Sequence, residues 1–320
     1  MLAAVAVVAA VAVVVYPIVD DRRASGGGSD ADDAVLVVLD GLQAGVHDPY
    51  ATPTYLGNPP ASGPGALLWF APFHSRTTYP LGIVLAVALM LGLVRLCTGG
   101  WLVASLVALL SAIAVPFWEG VAQGSDHIPF ACSLVVGAAF VERARRRPVP
   151  LPLVIVAGVL LGVLATVRAP YGVVPVLLAI ALFPSDRRGA LVLGGTGTAV
   201  VVLLHGALIA RVGWDAYAPI QQLLVKSDED LGRAGRLVVV AGVLAAAALL
   251  VLLLRRGPAG HRPIPLLLAG VGLPMTSIAV AGLLTAHDSS SWSAGSYFLD
   301  TLPLTALWLA DRIAPLDSPA

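Results

Sequence analysis

Asp30, Asp32 and Asp33, with Asp40 close behind, crowd one segment of a chain that carries few acids elsewhere. Such a cluster suits a transferase that must take a proton from an acceptor hydroxyl, because a general base has to be held within hydrogen-bond reach of that proton. Ser29 and Asp32 fit a capping box ahead of the apolar run 34–39, which gives Asp32 a structural task. Asp33 lies beyond the box and is the first choice for the base, with Asp32 and Asp30 behind it. On the helix that the box would start, Asp30, Asp33, Val37 and Asp40 share one face, Leu36 and Leu39 lie elsewhere, and Gly45 ends it.

A second polar group follows at Ser125-Asp126-His127, ahead of Ile128-Pro129. Ser125 or Asp126 is placed to cap the next helix, and exposed amides at such a start bind phosphate. His127 offers a proton or a cationic contact there, although a solvated histidine at the membrane surface is the commoner outcome. Arg168, before Ala169-Pro170-Tyr171-Gly172, could fork onto phosphate oxygens; the competing reading is a cation snorkelling at a helix end. Together Ser125, His127 and Arg168 are the expected donor-phosphate contacts. Tyr50, Tyr55, Asn58, Trp118, Trp214 and Trp292 are expected to face sugar or acceptor, with interfacial anchoring the alternative for the tryptophans. His205 and Asp300 are polar groups in costly places, explained by hydrogen bonds within a bundle.

Nucleotide-binding, dinucleotide, HExxH and CxxC patterns are absent, so an activated donor must be made elsewhere. No cofactor is required and no metal-ligand spacing occurs, although a divalent cation bridging Asp32 or Asp33 to a phosphate is compatible with the pattern. A nucleic-acid partner is not expected.

The elements that position these residues are membrane helices. The 320 residues are 58% hydrophobic and 12% charged, far from the balance of a soluble domain. Apolar runs near 2–19, 79–96, 101–117, 128–141, 151–167, 172–184, 189–210, 237–254, 264–285 and 297–310 give an all-α polytopic protein of about ten spans in one membrane domain. The first run continues apolar to Ile18 and reads as an uncleaved anchor. With both termini inside, eleven basic residues face four acidic ones on the inner side, including Arg143, Arg145, Arg146 and Arg147; fifteen of the nineteen carboxylates lie outside. The outer loops are 20–78, with a juxtamembrane helix and an apolar stretch 66–73, then 211–236 and 286–296. Cys97 and Cys132 imply no disulfide.

The order of features resembles bacterial GT-C membrane glycosyltransferases. It is carried by Ser29-Asp30-Ala31-Asp32-Asp33-Ala34, by Gly45-Val46-His47-Asp48-Pro49-Tyr50 and by Thr54-Tyr55-Leu56-Gly57-Asn58-Pro59. The similarity is greatest to enzymes that use polyprenyl-phosphate sugars, including mannosyl- and arabinosyltransferase-like proteins of the actinobacterial envelope. The resemblance implies an inverting transfer of a hexose or pentose from a polyprenyl-phosphate donor to a lipid or glycan hydroxyl. It implies a site on the outer face of the bacterial cytoplasmic membrane, among membrane lipids, with the base at Asp32 or Asp33. Many relatives carry an aromatic about four residues after the acid, where this chain has Leu36 or Val37. Two other classes compete: a lipid-glycan flippase or small-solute transporter, disfavoured by the lack of mid-membrane charge and of internal repeats, and a non-catalytic GT-C-like assembly subunit.

Overall fold

The computed structural model describes residues 2–21, 30–221, 232–257, 260–285 and 296–314, and every regular element among them is helical. The elements are α1 (Leu2–Asp20), α2 (Asp33–Gln43), α3 (Pro64–Phe70), α4 (Tyr79–Thr98), α5 (Trp101–Ala112), α6 (Val115–Ala122), α7 (His127–Arg146), α8 (Leu151–Ala165), α9 (Val174–Leu182) and α10 (Arg187–Val212). They continue with α11 (Gly232–Arg255), α12 (Pro263–Leu267), a π segment (Leu268–Gly272), α13 (Leu273–Thr285), α14 (Ser296–Leu299) and α15 (Leu302–Ile313).

All ten apolar runs fall in helices. Six helices are long and apolar enough to cross a membrane, and a seventh span arises if α5 and α6, bent by 81°, count as one. α8 and the 169–182 segment are shorter than a straight crossing needs. The bend follows from Pro116 in the first turn of α6 and is closed by the Trp118 indole N–H, which donates to the Ala112 carbonyl at 2.6 Å.

α7 is the axis of the bundle. Of its apolar window 83% is buried, against 11% for α10 and α11, and it packs against α4, α8, α9, α12 and α15. Whatever its first residue carries is therefore set into the centre at one end. α8 and α10 approach closely through Gly158, Gly162 and Gly197: a Cβ on Gly162 would stand 2.6 Å from the Gly197 carbonyl oxygen. This contact anchors α8, whose far end leads into Arg168.

α2 and α3 lie in the long loop between α1 and α4. α3 sits on the end of α8 because Gly63 and Gly65 have no side chains; a Cβ on either would meet the Thr166 or Val163 carbonyl at about 2 Å. The Gly63 amide donates to the Val167 carbonyl at 2.8 Å. The loop between α1 and α4 is thereby tied to the residue before Arg168.

The capping box is not the start of α2. Ser29 lies outside the described residues, the regular helix opens at Asp33, and Asp32 makes no side-chain cap bond. Its carboxylate is used elsewhere. Gly45, at φ +70°, ends the segment as expected. Asp33, Val37 and Asp40 share a face of α2 as expected, with Asp33 buried at its start and Asp40 exposed near its end, where it meets His74 at 2.9 Å.

Candidate functional site

Asp32 is 1% exposed and accepts the hydroxyl of Tyr16, from α1, at 2.7 Å. Tyr16 stacks on Tyr79 of α4, which stacks in turn on Phe70 of α3 at 4.1 Å between ring centroids. Gly124 closes this group. It has φ +69°, and a Cβ there would stand 2.8 Å from Tyr16, 3.1 Å from Tyr79 and 3.3 Å from the Asp32 Cβ. A left-handed glycine is what lets the segment before α7 run against the loop between α1 and α4.

Two residues beyond Gly124, Asp126 is fully buried. The expectation that it caps α7 is corrected, since its side chain makes no cap bond. Its Oδ1 accepts from Arg168 Nη2 at 3.0 Å and its Oδ2 from the Ser62 hydroxyl at 3.2 Å. Burial works against the charge on Arg168, but the Asp126 carboxylate together with Tyr297 and Tyr171 outweighs it and raises the guanidinium pKa. Arg168 is thus no snorkelling cation. Its Nε is buried and bonded to no protein acceptor, and the Tyr79 hydroxyl is in the same condition. Two donors in one polar cluster are left for a further acceptor.

Ser125 accepts the His127 amide at 3.3 Å and so shapes the α7 start itself. His127 is not a solvated loop residue: it is 4% exposed, and its Nδ1 lies 3.0 Å from Asp300 and 3.1 Å from the Tyr171 hydroxyl. Tyr171 also donates to Asp300 and stacks on Phe130. Asp300, flagged as costly, is satisfied by this pair. His205, the other such residue, bonds the Tyr217 hydroxyl at 2.6 Å.

The remaining acids hold the loop 44–63 in place. Asp33 accepts the Tyr55 amide at 3.1 Å and lies 3.5 Å from Arg76. Asp30 accepts Thr54 at 2.7 Å and the Asn58 amide at 2.9 Å. Tyr50 is buried edge-on to Tyr217 and donates to the Ser62 carbonyl at 3.2 Å. Burial, with Tyr217 and Asp48 adding to it, pushes the Tyr50 hydroxyl well above its ordinary pKa, so it remains a donor. The structure therefore gives Tyr50 and Asn58 scaffold contacts and leaves Tyr55 half-buried beside Asp33.

Trp118 and Trp214 are not brought to this cluster. Trp118 serves the α5–α6 bend, Trp214 is 54% exposed at the end of α10, and Trp292 lies outside the described residues. Tyr16 and Tyr79 were missed in the sequence; the only signal was a tyrosine inside an apolar run. A groove of about 870 Å³ lies apart from all of this, between α9 and α10, with an apolar lining interrupted by Thr198 and His261.

No family model matches the chain, and no curated protein matches it. Among solved structures, ArnT from Cupriavidus metallidurans bound to undecaprenyl phosphate aligns with a TM-score of 0.56 and 16% identity, over 98% of this chain. The chain spans 60% of the length of that structure. At this identity the likeness shows the fold alone, an all-helical bundle.

Proposed function

We propose that this chain transfers a sugar from a polyprenyl-phosphate donor to a lipid or glycan hydroxyl on the outer face of the bacterial cytoplasmic membrane. The observation that carries the reading is the convergence, around Gly124, of the buried Asp32 carboxylate with the Asp126–Arg168 pair and two unused donors. The fold is shared with an enzyme crystallised with undecaprenyl phosphate, which supports a donor of that class.

In this mechanism the acceptor oxygen attacks the anomeric carbon and the bond to the phosphate oxygen breaks, inverting the centre. The acceptor proton passes to an aspartate and polyprenyl phosphate leaves. Arg168 and the Tyr79 hydroxyl meet the charge that grows on the departing phosphate, where preorganised donors in a water-poor site act most strongly. Asp32 and the Asp126–Arg168 pair all lie close to Tyr79, so a leaving group held by Arg168 would put the reacting carbon in the same cluster as Asp32. That supports Asp32 as base over Asp33, whose carboxylate is directed at Tyr55 and Arg76.

The test uses Asp32→Asn and Asp33→Asn in membranes with equal protein, following radiolabelled sugar from a panel of polyprenyl-phosphate donors. Collapse of transfer in Asp32→Asn, by about a hundredfold or more, with a smaller loss in Asp33→Asn, supports this assignment. The reverse order moves the base to Asp33, and survival of transfer in both variants overturns the mechanism.

A further inference from the structure

At the end of α7 remote from His127 the molecule has a second polar centre. Glu142, one turn from the α7 terminus, lies 3.4 Å from Arg262, which reaches Asp311 of α15 at 3.2 Å. Next to this pair, the ends of α11 and α15 and the start of α12 enclose a cavity of about 260 Å³. Its lining includes Arg256, Arg262, Arg312, Asp311, Trp308 and Leu253.

We propose that this cavity binds the phosphate headgroup of an anionic phospholipid. Three guanidiniums meet there against one carboxylate, and that carboxylate is already neutralised by Arg262. Arg256 and Arg312 pair with no carboxylate among the described residues. A cation at a helix C-terminus offsets the helix dipole, which accounts for a positive residue at each end but not for both facing one cavity beside a third. Guanidiniums bind phosphate oxygens in parallel pairs, and basic pockets between membrane helices take anionic headgroups.

A lipid, and not a soluble anion, is indicated by the rest of the lining. Trp308 lies under the Arg312 guanidinium, 5.3 Å from it, and is a residue type that settles at headgroup depth. Leu253, Ile264 and Pro265 supply an apolar wall for the glycerol backbone and the first methylenes. The volume falls below the roughly 300 Å³ at which ordinary small-molecule pockets begin, which suits a headgroup whose chains stay in the bilayer. Such a lipid would bridge α11 to α15.

The test is native mass spectrometry of the full chain in mild detergent with equimolar phosphatidylglycerol and phosphatidylcholine. The expected result is retention of phosphatidylglycerol by about tenfold over phosphatidylcholine, equivalent to ~1.4 kcal/mol, and a higher thermal midpoint in its presence. Both effects should fall to the phosphatidylcholine level in the Arg256→Gln/Arg312→Gln double variant. They should persist in Arg147→Ala and Arg188→Ala, which change exposed arginines outside the cavity. Equal retention of the two lipids by the unaltered chain would overturn the proposal even if the double variant does not fold. So would unchanged selectivity in a folded double variant, or displacement of the lipid by millimolar inorganic phosphate.

Discussion

His127 Nδ1 stands 3.0 Å from Oδ1 of Asp300, across 173 residues of sequence. Both groups are buried, and the Tyr171 hydroxyl completes the contact. The pair locks α7 to the start of α15 and holds the imidazole ring in one orientation beside the Asp126–Arg168 pair. A carboxylate that fixes one ring nitrogen sets the role of the other.

Removing the carboxylate should therefore damage the fold before it damages chemistry. Leaving buried hydrogen-bonding groups without their partner costs about 1–3 kcal/mol each. Asp300→Leu should lower the thermal midpoint in detergent far more than Asp300→Asn, which keeps a hydrogen-bond acceptor for Tyr171. Equal midpoints in the two variants would show that shape, not hydrogen bonding, is what Asp300 contributes.

Gly124→Ala should be more harmful than a single methyl suggests. The backbone is left-handed there, and the methyl would press on Tyr16, Tyr79 and Asp32. A strained residue of this kind costs about 1–3 kcal/mol, and relief by movement would displace Asp32. Transfer should fall with it, whereas Gly92→Ala, with nothing within 4 Å of the new methyl, should leave both stability and transfer unchanged.

Tyr16→Phe deletes the hydroxyl bonded to Asp32 while keeping the ring in its stack. Hydrogen bonds to charged groups contribute about 1.5–3 kcal/mol, and the thermal midpoint should fall accordingly. On the proposed mechanism kcat falls while the KM for donor holds. A change confined to KM would place Tyr16 in donor binding.

Arg168→Lys keeps the charge but gives up the planar fork and the Nε donor. Its expected signature is a rise in donor KM of about tenfold, ~1.4 kcal/mol, seen in initial rates against donor concentration. Arg76→Ala makes the contrast: its side chain is 57% exposed, and its contacts to Asp20 and Asp33 are 3.3 and 3.5 Å. The two carboxylates are only 9% and 7% exposed and lose a partner, so the midpoint should fall, while donor KM should hold.

The helices were legible because an apolar run of span length has few alternatives in a chain this hydrophobic. The carboxylate segment and Arg168 also stood out, being charges among apolar neighbours. The partners were hidden by the same composition. Tyr16 and Tyr79 sit inside runs that read as ordinary spans, and nothing local shows that α1 and α4 turn them toward Asp32. Asp126 was misread because a polar residue before a helix is usually its cap, and only the approach of Ser62 and Arg168 gives its carboxylate other work. His127 was misread for a similar reason: its partner is contributed by the turn between α14 and α15.

The contact of Tyr16 with Asp32 also changes what α1 is. A leading apolar helix is commonly regarded as a tether or a targeting device that a protein can lose without altering its chemistry. Here the helix supplies one wall of the carboxylate's surroundings, and its removal would unclothe Asp32 on that side. Processing by a signal peptidase anywhere beyond Tyr16 would take that hydroxyl from Asp32 and, on the proposed mechanism, stop transfer. A fusion partner that draws α1 away from α4 would yield a protein that inserts normally in the bilayer and has a damaged centre.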